Sequence, residues 1–244
     1  MNIALIGYGK MGHEIERVCA DRRNISIKQI FTGKNNLRAA GLTRGALKDV
    51  DVCLDFSTPS SALSHIEAAA ECGTDIVVGT TGWYGELPKV KRLVEERNIG
   101  LVYSANFSLG MNIFFQIVGC AAQAFDTHEM YDAAILEIHH RGKADSPSGT
   151  ALALGEIILQ HCRAKQELAT DPPKQQLKPS QLQISSTRVG HVAGTHRVLF
   201  DSTADSIELI HSAKDRSGFA LGALVAAEWL HGKKGMYTMK DVLA

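Results

Sequence analysis

Residues Glu137 to Thr150 read Glu-Ile-His-His-Arg-Gly-Lys-Ala-Asp-Ser-Pro-Ser-Gly-Thr, and no other stretch of the chain gathers as many reactive groups. His139 and His140 carry imidazoles, which move protons near neutral pH. Lys143 adds a fixed positive charge. Gly149 and Thr150 stand where an apolar helical run, Ala151 to Ile158, begins. The free N–H groups of a first helical turn bind anions. The segment before them, Asp132 to His139, reads as a strand. A single strand-loop-helix unit therefore offers a proton carrier, a cation and a carboxylate cradle, which suits reduction of a small dicarboxylate. Each piece has a plainer reading: a His-His pair at a strand end is an ordinary sheet-edge feature, and Ser-Gly-Thr before a helix is a common cap. Their order, with the lysine between them, is what points to chemistry.

The same stretch resembles the catalytic signature of the dihydrodipicolinate reductase (4-hydroxy-tetrahydrodipicolinate reductase) family. That signature runs Glu-x-His-His-x-x-Lys-x-Asp-x-Pro-Ser-Gly-Thr-Ala, and every fixed position is present from Glu137 to Ala151. The resemblance implies NAD(P)H-dependent reduction of a cyclic α-imino or enamine dicarboxylate, 4-hydroxy-tetrahydrodipicolinate or its dehydrated form, in diaminopimelate and lysine biosynthesis. It makes His139 the general acid and His140 a substrate contact. Lys143 would stabilise developing negative charge or donate a proton beside the ring nitrogen. Gly149 and Thr150 would hold one carboxylate. No metal is expected, because the cofactor is the hydride source and the histidines lack zinc-like spacing to soft or acidic ligands.

The elements that must position these groups begin with a nucleotide-binding half. Asn2 to Ile6 is a short apolar strand running into Gly7-Tyr-Gly-Lys-Met-Gly12 and a helix through Ala20. In such a Gly-x-Gly-x-x-Gly turn, Gly7 allows the tight bend, Gly9 admits the pyrophosphate, and Gly12 lets helix and strand pack closely. Tyr8, Lys10 and Met11 complete the expected cofactor loop. Many family members have one more residue there and an arginine where Lys10 stands; a lysine still offers charge, without a bidentate fork. The next strand, Ile25 to Phe31, ends at Thr32-Gly-Lys34 without the acidic residue that would bind a ribose 2′-hydroxyl. Thr32, Lys34 and Arg38 beyond them could instead accommodate a 2′-phosphate, so the cofactor is NADPH or NADH with a lean to NADPH.

Further strands from Asp51, Asp75 and Ile99 alternate with helices Ser61 to Glu71 and Leu87 to Arg97, which implies a parallel sheet with ligands beyond its carboxyl ends. The polar tips there are Phe56-Ser57, Gly79-Thr80-Thr81 and Ser104-Ala105-Asn106-Phe107. The family resemblance implies that Gly79 to Thr81 and Ala105 to Ser108 line the nicotinamide end.

From Leu109 the character changes. A long apolar helix, Gly110 to Phe125, precedes the strand to His139 and a helix from Thr150 to about Ala164. Lys165 to Gln181 reads as an exposed loop. Alternating stretches Gln183–Val189, Gly194–Phe200 and Asp205–His211 suit a mixed or antiparallel sheet with one covered face. Arg188, His191, His196 and the segment His211 to Arg216 also resemble family segments, and read as strand-end polar residues rather than catalytic groups. The apolar helix Ser217–Leu230 is expected to return to the nucleotide domain. The expected architecture is thus α/β: residues 1–107 with 217–244 form a Rossmann-type domain with a parallel sheet, and 108–216 an α+β substrate and oligomerisation domain with a mixed sheet. Hinges are expected near Asn106–Leu109 and Asp215–Gly218. The family's usual assembly implies a homotetramer.

Composition bounds the alternatives. The chain has 244 residues, 45% hydrophobic and 21% charged, with zero formal net charge. No basic stretch suggests nucleic acid, and no apolar run reaches the ~18–20 residues that span a bilayer. A strand starting at Asn2 leaves no room for a signal peptide. Five scattered cysteines suggest reduced, mostly buried thiols rather than disulfides, and the expected location is cytoplasmic. Three rival readings fit less of the chain. One is an imino-acid or amino-acid dehydrogenase, which would not need Lys143 and the Ser148–Thr150 set. The others are a non-catalytic NAD(P) sensor and a structural interaction protein.

Overall fold

A computed structural model describes residues 1–170 and 176–244. They fall into two compact units, residues 1–109 with 216–244, and residues 110–215.

The first unit opens with β1 (Asn2–Ile6), α1 (Lys10–Ala20), β2 (Ser26–Phe31), β3 (Val52–Asp55), α2 (Pro59–Cys72), β4 (Asp75–Val78), α3 (Leu87–Arg97) and β5 (Gly100–Tyr103). In the second unit follow α4 (Leu109–Phe125, its first residue still in the first unit), β6 (Asp132–His139), α5 (Gly149–His161), β7 (Glu167–Ala169), β8 (Gln181–Arg188), β9 (Thr195–Asp201) and β10 (Ser206–Ser212). The chain then re-enters the first unit with α6 (Ser217–Leu230), β11 (Gly235–Thr238) and α7 (Met239–Val242).

The six strands of the first unit are all parallel, in the order β11-β5-β4-β3-β1-β2. Val52–Asp55 and Asp75–Val78 are buried throughout, as strands covered on both faces must be. Successive side chains of β1 point to opposite faces. Ile3 and Leu5 join a core with Ile15 of α1 and Ala220, Ala223 and Leu224 of α6, whereas Ala4 and Ile6 join one with Ile66 of α2 and Val90 of α3. α6 lies close because Gly222 has no side chain: a Cβ there would sit 1.7 Å from the Phe107 carbonyl oxygen. The chain leaves β1 toward β2 and then crosses to β3 on the other side, so the switch point of the sheet lies at the carboxyl ends of β1 and β3. Ligands of open α/β sheets bind at such points.

The second unit has a mixed five-stranded sheet, β10-β9-β6-β8-β7, with β6 antiparallel to β9 and parallel to β8. Its period-two pattern is clean in β6, where Ala133, Ile135, Glu137 and His139 are the buried face. α4 and α5 cover that face through Phe114, Val118, Leu154 and Ile158. The pairs Ile135 with Val198 and Glu137 with His196 stand side by side across β6 and β9. On the opposite face Leu199 and Ile210 are exposed.

Three expectations need correction. The segment Lys165 to Gln181 is not simply an exposed loop, although Asp171 to Gln175 lie outside the described residues. β7 falls within it, and Lys165 is buried because its ammonium donates to the Pro179 and Gln181 carbonyls at 2.9 and 2.8 Å and pairs with Asp132. α5 stops at His161 rather than near Ala164, since Asp126 holds the Arg163 amide and guanidinium at 2.6 and 2.7 Å. All five cysteines are free, but Cys120 is exposed and Cys72 and Cys162 only partly covered.

Candidate functional site

In the first unit a cavity of about 380 Å³ opens at the switch point, lined by the glycine turn at Gly7–Gly9, by Thr32, Gly33 and Arg38, and by Phe56 to Thr58. The glycines have separate reasons. Gly7 sits at φ +91°, in the left-handed region, and a Cβ there would lie 2.5 Å from the Phe56 carbonyl oxygen. A Cβ at Gly12 would meet the Gly7 carbonyl oxygen at 2.5 Å. At Gly9 a Cβ would meet nothing within 4 Å, so the backbone face is open to an incoming group. α1 begins at Lys10 with no side-chain cap on Gly9, leaving first-turn N–H groups available to an anion. These features fit the pyrophosphate of a dinucleotide.

The other expected cofactor residues are placed as follows. Tyr8 lines the cavity, and its hydroxyl donates to Glu16, which raises its pKa. Lys10 is exposed, while Met11 packs partly on the core. Lys34 is exposed on the turn after β2 and does not line the cavity; Arg38 does. Thr80 is buried: its hydroxyl donates to Asp55 and its carbonyl accepts from the Trp83 indole at 2.8 Å. Gly79 is required by Phe56, whose ring would be 2.1 Å from a Cβ. Thr81 is exposed. Ser104 closes a turn by donating to the Asn106 carbonyl at 2.8 Å, with Ala105 exposed between them. Phe107 belongs to the core, edge-on to Phe56 at 5.7 Å.

The second unit holds a buried polar cluster at the end of β6. One oxygen of Glu137 accepts from the Ser148 amide at 3.0 Å and from the Arg188 guanidinium at 2.8 Å. The other lies 3.0 Å from His139 Nδ1 and 3.8 Å from His196 Nε2. Neither approach is aligned as a hydrogen bond, which leaves Glu137 Oε2 and His139 Nδ1 buried without one; His196 Nδ1 and Arg188 Nε are also buried without a partner, while His196 Nε2 lies 3.2 Å from the Ser148 hydroxyl. Each such atom costs about 1–3 kcal/mol, and several within one cluster make it a candidate site. Gly194 makes room for His139, whose Nε2 would be 2.9 Å from a Cβ there.

Electrostatics separate the members. Burial alone would raise Glu137, but its bonds from Ser148 and Arg188 outweigh that and hold it at about 2. Burial pushes His139 down, opposed by the Glu137 charge and assisted by Lys143 and Arg188. Burial, then the neighbouring His139, push His196 to about 4. A carboxylate therefore stands beside two imidazoles that burial pulls below their ordinary pKa. The ligand atoms of Glu137, His139 and His196 lie within 4.8 Å of one another, as a cation would need. The other Glu137 oxygen, however, is already neutralised by Arg188.

The loop after β6 carries the remaining predicted residues. Lys143 Nζ grips both Asp145 oxygens, at 2.6 and 2.9 Å, which lowers the Asp145 pKa. His140 is partly exposed, and its carbonyl accepts from the Lys143 amide at 3.1 Å. The Ser146–Pro147 peptide is cis. Ser148 caps α5 by accepting from the Ala151 amide at 3.1 Å, which places Gly149 and Thr150 in the first turn. Gly149 is exposed, with open space where a Cβ would be. The structure thus gathers Glu137, His139, Lys143 and the α5 N-terminus in one unit. It adds Arg188 and His196, read from sequence only as strand-end polar residues. Their one signal in the sequence was that they too resemble family segments. His191 is exposed, and His211 packs against Phe114 at 5.9 Å.

A doubly wound parallel sheet with a glycine-lined crevice at its switch point, joined in sequence to a second unit with a buried His-Glu-Arg cluster, is the build of a nucleotide-dependent oxidoreductase. The model of the dihydrodipicolinate reductase N-terminus matches residues 1–107, and that of its C-terminus residues 110–243. The chain belongs to the dihydrodipicolinate reductase family. It is 38% identical over 244 residues to the 4-hydroxy-tetrahydrodipicolinate reductase of Christiangramia forsetii, covering 100% of this chain and 98% of that one. It is 37% identical over 204 residues to the enzyme of the same name from Neisseria meningitidis serogroup B, covering 81% and 74%. Its fold is similar to that of the dipicolinate-bound dihydrodipicolinate reductase from Paenisporosarcina sp. TG-14, with a TM-score of 0.80 at 22% identity over 99% and 98% of the two chains.

Proposed function

We propose that this protein reduces 4-hydroxy-tetrahydrodipicolinate, or its dehydrated form, to tetrahydrodipicolinate, using NADPH or NADH with NADPH preferred. The observation that carries this reading is the cluster of Glu137, His139, Lys143 and the α5 N-terminus, which places an imidazole, a cation and an anion cradle around one loop. The cofactor supplies the hydride. Gly7, Gly9 and Gly12 with the first turn of α1 would hold its pyrophosphate, and Thr32 and Arg38 its ribose end.

Net reduction also takes up one proton and releases the hydroxyl as water. His139 is the proton donor. Glu137, held as a carboxylate by Ser148 and Arg188, favours the imidazolium of His139 and opposes its desolvation. His140 contacts the substrate. Lys143, now paired with Asp145, is positioned to exchange that partner for substrate and to stabilise charge at the ring nitrogen. The first-turn N–H groups of Gly149 and Thr150, with the threonine hydroxyl, hold one substrate carboxylate.

The assembly is a homotetramer, supported by the sheet face that leaves Leu199 and Ile210 exposed. A cytoplasmic location fits five free cysteines. The test is consumption of reduced cofactor that depends on substrate made in situ by dihydrodipicolinate synthase. An imino-acid dehydrogenase would instead oxidise cofactor with open-chain imino acids and tolerate Lys143→Ala.

A further inference from the structure

Along the ribose end of the crevice, with Asn36 and His65 in its lining, runs a chain of buried side chains that the proposed reaction does not use. Asp55 is 0% exposed, His65 4% and Asn36 5%. One Asp55 oxygen accepts from the Ser57 amide, the Ser57 hydroxyl and the Thr80 hydroxyl at 2.9, 2.7 and 2.7 Å. The other faces His65 Nδ1 at 2.8 Å. His65 Nε2 faces the Asn36 amide nitrogen at 3.1 Å, and the Asn36 oxygen accepts from the Gly41 amide at 2.9 Å. One assignment satisfies every partner. Gly41 fixes which end of the Asn36 amide accepts, so Asn36 donates to His65 Nε2. The His65 proton then sits on Nδ1 and points at Asp55.

What this chain ties down is unusual backbone. Arg38 and Ala39, at φ 51° and 64°, are consecutive non-glycine residues in the left-handed region, where such residues persist only when their surroundings hold them. The bend closes at Gly41, where a Cβ would sit 2.6 Å from the Asn35 carbonyl oxygen. It turns Leu37 and Arg38 toward the crevice, and Leu37, a large apolar side chain, stays 73% exposed there.

We propose that Asp55, His65 and Asn36 are positioning residues that hold the bend at residues 36–41, so that Leu37 meets the adenosine and Arg38 the 2′-substituent of the cofactor. The inference rests on a dinucleotide binding in this crevice. Three elements far apart in sequence are coupled by it: the end of β3, the second turn of α2, and the loop after β2. Loss of the central imidazole frees the loop while Gly7, Gly9 and Gly12 remain intact. The defect should therefore appear in adenosine-end affinity rather than in turnover.

The experiment is calorimetric titration of the folded protein with two cofactor fragments, 2′,5′-ADP and 5′-AMP, together with steady-state kinetics. His65→Leu and Asn36→Ala should weaken 2′,5′-ADP about tenfold, the scale of one lost charge-assisted contact, and 5′-AMP less. The KM for NADPH should rise to match, while kcat at saturating cofactor changes less than twofold. His65→Gln, which can still donate to Asp55 and accept from Asn36, should restore most of the affinity. Arg38→Ala should remove the preference between the fragments. Parent-like affinities for both fragments in His65→Leu and Asn36→Ala would overturn the proposal while leaving the cofactor site standing. If the parent protein bound neither fragment nor NADPH, the crevice reading itself would fail. Should His65→Leu not fold, Asn36→Ala, on the loop itself, decides the same question.

Discussion

At the level of single residues, the proposed reaction takes its proton from His139 and its charge stabilisation from Lys143. His139→Gln and Lys143→Ala should each lower kcat/KM, within the ~10²–10⁴ range of a lost proton donor, with Lys143→Ala the larger loss. Steady-state rates within a few-fold of the parent for both variants would remove these roles. The cluster also predicts how stability depends on pH. His196 has a folded pKa of about 4 against an ordinary 6.5, so the unfolded chain binds the proton more tightly. The stabilisation is complete above pH 6.5 and is lost as pH falls through about 4. The full span is on the order of 3 kcal/mol. A thermal melting temperature that falls over this window, and falls less in His196→Gln, is the expected result; an unchanged melting temperature would refute it. His139, His140, Lys143, Gly149 and Thr150 were legible because they lie in one short stretch. Arg188 and His196 reach Glu137 from 51 and 59 positions away, and no local spacing records such an approach. Asp55, His65 and Asn36 were unread for the same reason, since only the crossing of β3, α2 and a loop brings them together.

At the level of elements, the glycines separate two jobs that the sequence presents alike. Gly9 faces open space and Gly79 faces the Phe56 ring. Gly9→Ala should leave the melting temperature unchanged and raise the KM for NADPH about tenfold, by placing a methyl where the pyrophosphate approaches. Gly79→Ala should instead destabilise the fold by about 1–3 kcal/mol through overpacking. Equal effects of the two changes on cofactor affinity and melting temperature would contradict this division. Most elements were readable because their patterns are strong: the continuous apolar cores of β3 and β4, the alternation of β6, and the apolar runs of α4 and α6. The misses are short or contextual. β11 has four half-buried residues and gains its identity only by pairing with β5. β7 is three residues long beside β8, inside a stretch whose polarity and prolines suggested a loop. Lys165 looked solvated because its carbonyl partners lie 14 and 16 residues further on.

At the level of the whole molecule, the strand-helix alternation placed the parallel sheet of an α/β fold, while the alternating stretches from Gln183 to His211 suited a mixed or an antiparallel sheet; the second sheet is mixed because β8 runs parallel to β6. The chain's return through α6 to the first sheet was expected from family resemblance, since an apolar helix does not itself say which sheet it covers. The exposed Leu199 and Ile210 predict that Ile210→Asp shifts a tetramer toward smaller species in sedimentation velocity; a parent that sediments as a monomer would remove the assembly claim. The proposed reaction would be seen as decay of reduced-cofactor absorbance when dihydrodipicolinate synthase generates the substrate in the same cuvette. The expected decay requires the synthase, proceeds with NADPH and NADH, and is faster with NADPH at equal subsaturating concentration. Cofactor that binds yet is not consumed when the synthase product is present would contradict it.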